Sequence, residues 1–192
     1  MTFSRIYELS GVSRLPVDPV EIARALGIKV VEYKAAAELF EVKLYDLYAH
    51  CPLGFSFKAD GLLCIALNEN ACGEQRRRFT VAHELAHCVL DHLDHLENRA
   101  FSKRQEREAE QFAANLLAPL VVLRECGVDS APEIARLCGI SRKAAELRLE
   151  RLAERNARGA YVSEDEHRTA EMFRGFTESY AALSKRGKND RG

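Results

Sequence analysis

Two imidazoles four residues apart, with a carboxylate directly after the first, stand mid-chain in the stretch FTVAHELAHCVLDH, residues 79–92. On a helix, His83 and His87 lie about 40° apart around the axis and about one turn apart along it, so both rings can reach one ion. Glu84 is rotated by about 100° from His83, which puts it beside the ion rather than among its ligands. Zinc accepts neutral imidazole and carboxylate in a tetrahedron, and a catalytic site leaves one position for water. The chemistry that follows is hydrolysis, in which the ion lowers the pKa of water and Glu84 takes its proton. The bland alternative is a chance His-Glu-x-x-His on a solvated helix. The neighbours favour the ion, because Ala82, Leu85, Ala86, Val89 and Leu93 fall at helical spacing and make one apolar stripe.

A third ligand is within reach in the next helix, EREAEQFAANLLAP, where Glu106, Glu108 and Glu110 precede an apolar segment. Two packed antiparallel helices can bring one of these carboxylates to the ion. Glu106 and Glu110 share a face, and Glu108 points elsewhere. If Glu106 binds, Glu110 is placed to hydrogen-bond a ligand histidine, and Glu108 reads as a solvated charge. His92 and His95 read as surface residues near a helix end, where histidine complements the dipole. Cys88 reads as a buried inert thiol, and Arg76, Arg77 and Arg78 as a solvated first turn able to steer an acidic partner.

The elements that must position these groups are legible in part. LPVDPVEIARALGIKVVEY reads as a helix capped by Asp18, with Pro19 at its first position, Glu21 completing a capping box and Gly27 its stop; a strand through Val30 and Val31 follows. Residues 35–51 fit helix or loop. GFSFKADGLLCIALNE reads as a hairpin turning at Asp60-Gly61. Helical periodicity begins near Glu74 and returns over 103–118. Two short helices follow, the first boxed by Ser130 and Glu133, the second capped by Ser141. A C-terminal helix opens on a Ser163–Glu166 box and carries Met172, Phe173, Phe176, Tyr180 and Leu183 on one face, with Lys185 and Arg186 suited to its end.

With 192 residues, 47% hydrophobic, 30% charged and a formal net charge of −1, the chain has no global charge that would draw it to nucleic acid or membrane. The opening residues lack the apolar run of a signal peptide or anchor, and no segment reaches spanning length. The six cysteines (Cys51, Cys64, Cys72, Cys88, Cys126, Cys138) form no CxxC pair. Reduced thiols and a cytoplasmic location are the expectation.

RRRFTVAHELAHCVL, followed by EREAEQFAANLLAP and preceded by the hairpin, resembles the ImmA/IrrE family of bacterial zinc metallopeptidases. LPVDPVEIARALGIKVV matches that family's usual opening, and the resemblance covers roughly residues 15–155. It implies an α+β fold: a mainly helical zincin-like domain with a small antiparallel sheet over 1–125, a helix-turn-helix-like extension over 126–155, and an amphipathic C-terminal helix and tail over 156–192. It also implies zinc held by His83, His87 and Glu106. Sites of this kind pair the ligand glutamate with Asp or Asn four residues on; Glu110 stands there instead, which keeps Glu108 open as the third ligand. The implied activity is cleavage of a DNA-binding repressor at one bond, relieving repression after DNA damage or in the control of mobile elements. Two rivals stand beside it. One is a non-catalytic antirepressor or toxin–antitoxin partner that keeps zinc for structure. The other is direct nucleic-acid binding through 131–154, where Arg142, Lys143, Arg148 and Arg151 are interspersed with Glu146, Glu150 and Glu154; packing or repressor contact is the favoured reading of that segment.

Overall fold

The computed structural model describes residues 1–70, 73–95, 100–157 and 163–189; Cys72 and the side chains of His95, Lys185 and Arg186 lie outside the described set. In chain order the elements are α1 (Phe3–Ser10), α2 (Pro19–Ala25), β1 (Lys29–Glu32), α3 (Tyr33–Phe40), α4 (Leu44–His50), β2 (Gly54–Ala59), β3 (Leu62–Leu67) and α5 (Glu74–Val89). A 3-10 turn (His92–His95) follows, then α6 (Lys103–Leu117), α7 (Leu120–Cys126), α8 (Ala131–Cys138), α9 (Arg142–Ala157) and α10 (Glu164–Asn189). The chain is thus mainly helical with one small sheet. It divides into two compact units, the first made of Met1 and Asp18–Ala114, the second of Thr2–Val17 and Asn115–Gly192.

The first unit is built on a three-stranded sheet of order β1-β3-β2. The hairpin is antiparallel as its sequence predicts, with Ala59 opposite Leu62 and Ser56 opposite Ile65. Asp60 and Gly61 take positive φ of 50° and 76°, the conformation a two-residue primed turn requires. The sheet as a whole is mixed, because β1 adds in parallel to β3, Val30 opposite Ile65. Parallel pairing needs a crossover between the strands, and here α3 and α4 supply it. The segment that fits helix or loop is therefore helical.

Alternation along the hairpin sorts its side chains to two faces. Phe57, Cys64 and Ala66 pack with Tyr33 and Ala36 of α3, and Phe55, Leu44 and Leu47 border that cluster. Gly54 and Ser56 lie on the opposite face, toward α5. There Ala82, Leu85 and Ala86 have no solvent exposure. Complete burial of Leu85 stabilises the unit by about 1.5–3 kcal/mol, and the two alanines on the same stripe let the helix lie close to the strands.

The second unit is helical. The Tyr7 hydroxyl donates to the Leu116 carbonyl at 2.8 Å, satisfying a group left over at the end of α6. The Asp165 carboxylate accepts from the amides of Phe3 and Ser4 at 3.3 and 2.9 Å, capping α1 from a distant part of the sequence. Ser163 and Glu166 form the reciprocal capping box, and Ser141 accepts from Ala144 N–H at the start of α9. Ser130 stands at the N-cap of α8 without a side-chain capping bond; Glu133 instead accepts from the Tyr180 hydroxyl at 2.6 Å. Arg148, one of the basic residues of the helix-turn-helix-like segment, is buried and bonded to Asn115 Oδ1 and the Ala118 carbonyl. It is spent on packing.

Gly54 marks where β2 comes closest to α5. A Cβ there would lie 2.9 Å from both the Ala66 carbonyl oxygen and Thr80 Cγ2. Gly54→Ala is expected to destabilise the protein by about 1–3 kcal/mol through overpacking, read from denaturant unfolding. An unchanged midpoint would mean that the strand and helix separate at no cost.

Candidate metal centre

Helix α5 carries His83, Glu84 and His87 on a packed framework, and the phase of the helix decides what each can reach. His83 and His87 present their Nε2 atoms 3.2 Å apart. Glu106, in the first turn of α6, places Oε2 3.2 Å from His83 Nε2 and Oε1 4.0 Å from His87 Nε2. These three donor groups lie within 4.8 Å of one another. Donors bonded at about 2.0–2.1 Å to a tetrahedral ion stand about 3.3 Å apart, so the two imidazoles already have that spacing and Glu106 needs only a small adjustment toward His87. Two lone pairs and a carboxylate crowded together repel one another, and a cation between them removes that repulsion.

His87 is 1% exposed. Phe101 stacks on its ring at a centroid distance of 3.6 Å. Burial, reinforced by His83 and His92, pushes its pKa down to about 3, so the imidazole is neutral and its lone pair available throughout the neutral range.

Glu84 is buried beside this cluster at 8% exposure, and Ser56 Oγ donates to its Oε2 at 2.9 Å. Burial drives its pKa up to about 7; bonds from the Ser56 side chain and backbone pull it down, and the Glu106 charge pushes it up. A carboxylate poised in this way has the basicity wanted of a proton acceptor at neutral pH. Ser56 went unnoticed in the sequence. The signal was present in GFSFKA, where alternation puts the only hydroxyl on the face away from both phenylalanines.

Three expectations need correction. His92 is not a surface residue: it is 5% exposed, with Nδ1 3.0 Å from His87 Nδ1 and Nε2 3.2 Å from Glu108 Oε2. Helix α5 stops at Val89, Asp91 adopts a left-handed φ of 56°, and the 3-10 turn carries His92 back beneath the helix. The carboxylate behind His87 is accordingly Glu108, reached through His92. Glu110, expected in that role, is exposed. Glu108, expected to be solvated, is also held by Arg104 at 2.8 Å. Cys88 is buried with its thiol pushed up to about 12, chiefly by burial, in line with an inert core cysteine.

The family model described as IrrE N-terminal-like domain, a peptidase family, matches residues 23–150. None of the curated proteins matches the chain.

The raised pKa of Glu84 has a cost in stability. Its folded value of about 7 lies above the ordinary 4.5, so the folded state holds this proton more tightly than the unfolded state. The contribution is present in full below about 4.5 and is lost as pH rises through about 7. In chelator-treated protein, Glu84→Gln is expected to melt above the parent at pH 8, by up to a few kcal/mol in stability, with the difference shrinking toward pH 5. A difference independent of pH in thermal melts would contradict it.

Proposed function

The chain belongs to the ImmA/IrrE family of metallopeptidases, and from that premise we propose that it is a zinc-dependent endopeptidase that cuts a DNA-binding repressor. The observation that carries this reading is the convergence of His83, His87 and Glu106, with Glu84 buried beside them and hydrogen-bonded to a strand at the sheet edge. A purely structural site has no use for a base at that position.

In this reading His83, His87 and Glu106 hold zinc, which when bound acidifies water and polarises the scissile carbonyl. Glu84 takes the proton of the attacking water and passes it to the departing amine. Ser56, bonded to Oε2, holds the carboxylate in orientation through both transfers. The substrate enters as an extended segment paired along β2. The hairpin register supports this: Ala59 and Leu62 close the turn, so the alternate residues Gly54, Ser56 and Lys58 turn their backbone groups away from β3. Ala66, by contrast, lies in the central strand and is fully buried, so proline there would damage the sheet itself. Among the described residues no helix is long and apolar enough to cross a membrane. The reading places the enzyme in the cytoplasm because its proposed substrate is a DNA-binding regulator. Direct contact of residues 131–154 with nucleic acid is the lesser reading, because Arg148 is buried.

One zinc per chain is expected by metal analysis, strongly reduced in His83→Ala, His87→Ala and Glu106→Ala. Glu84→Gln is expected to retain zinc and lose cleavage; loss of zinc with the fold intact would overturn the assignment of roles.

Incubation with a candidate DNA-binding repressor substrate is expected to give one chelator-sensitive cut, with little action on casein. Efficient chelator-sensitive digestion of unrelated unfolded proteins would contradict the proposed specificity. Tight binding without cleavage would favour the antirepressor reading.

A further inference from the structure

His87 carries two bonds that constrain each other. Its Nε2 belongs to the cluster with His83 and Glu106, and its Nδ1 lies 3.0 Å from His92 Nδ1. Two facing ring nitrogens can bond only if one is protonated and the other is not. On the far side, His92 Nε2 lies 3.2 Å from Glu108 Oε2. An ionised carboxylate only accepts, so His92 carries its hydrogen on Nε2 and offers a bare lone pair at Nδ1. His87 then carries its hydrogen on Nδ1, leaving Nε2 as the lone pair that faces the cluster. Every donor along this line meets an acceptor with all three groups in their ordinary charge states.

We propose that Glu108 and His92 form a two-link relay that fixes the tautomer and ring orientation of His87, with His92 the positioning residue for that ligand. The inference rests on His87 being a metal ligand and does not depend on the peptidase activity. A ligand histidine is commonly backed by a carboxylate directly; here a second imidazole is interposed, and it reaches a carboxylate at the rim of the site. Gln105 Nε2 holds the backbone carbonyl of His92 at 3.4 Å, and Phe101 covers the His87 ring. His83 is held differently: its Nδ1 is buried without a hydrogen-bond partner among the described residues. The two imidazoles are therefore unequal, one locked and one adjustable.

The test begins with the unaltered chain. Nitrogen-15 long-range correlation spectra of chelator-treated protein are expected to show His87 protonated at Nδ1 and His92 at Nε2; the reverse tautomers overturn the relay. By competition with a zinc chelator, His92→Ala is expected to weaken zinc affinity by about 10–100-fold, and Glu108→Ala by less, since its carboxylate is 39% exposed. His92→Gln, which supplies an amide oxygen to accept from His87, is expected to recover part of the loss. Wild-type affinity in folded His92→Ala sinks the proposal. If His83→Ala and His87→Ala also leave affinity unchanged, the failure belongs to the metal site; if they strip zinc, it belongs to the relay alone.

Discussion

Everything at the centre depends on holding two imidazole nitrogens and a carboxylate within 3.2–4.0 Å of one another. Without a cation or a shared proton between them, that arrangement is unfavourable, since lone pairs face lone pairs. It persists because the helix that presents His83 and His87 is committed elsewhere: Ala82, Leu85 and Ala86 are fully buried on the adjoining stripe. The apolar packing fixes the rotation of α5 about its axis. That rotation in turn aims the imidazoles, so hydrophobic burial is what preorganises the ligands.

The same dependence runs through the sheet. Ser56 meets Glu84 only because the register of β2 against β3 puts position 56 on the α5 face. A slip of one residue would send Ser56 to the opposite face and bring a phenylalanine against the carboxylate. The register is pinned at one end by the Asp60-Gly61 turn and at the other by the close approach at Gly54. A backbone feature with no chemistry of its own thus controls the setting of Glu84.

What the sequence disclosed followed the range of each interaction. His83, Glu84 and His87 are legible because one helical turn contains them, and the Asp60-Gly61 hairpin and the Ser163–Glu166 box are equally local. Helices α3 and α4 were ambiguous for a physical reason: neither has a side-chain hydrogen bond at its N-cap, so the usual start signal is missing. Helix α1 has local caps in Thr2 and Gly11 but is only 8 residues long, and its first two amides are held by Asp165, far along the chain. The burial of His92 depends on a left-handed residue at Asp91 that composition does not announce. Glu106 could be singled out among three glutamates only by resemblance, since the spacing of the helix allows more than one choice. The parallel addition of β1 requires knowing where a crossover lands, which no local pattern encodes.

Cys88 sits directly after a proposed ligand, yet its thiol is buried and held near its neutral form, with a pKa of about 12. A thiolate there would be the softest donor in the neighbourhood, and soft donors favour monovalent copper. The candidate donor set is two imidazoles and a carboxylate, and the thiol is not among the groups that converge. Burial leaves this cysteine a packing residue, with its proton held on sulfur beside a site built from harder donors.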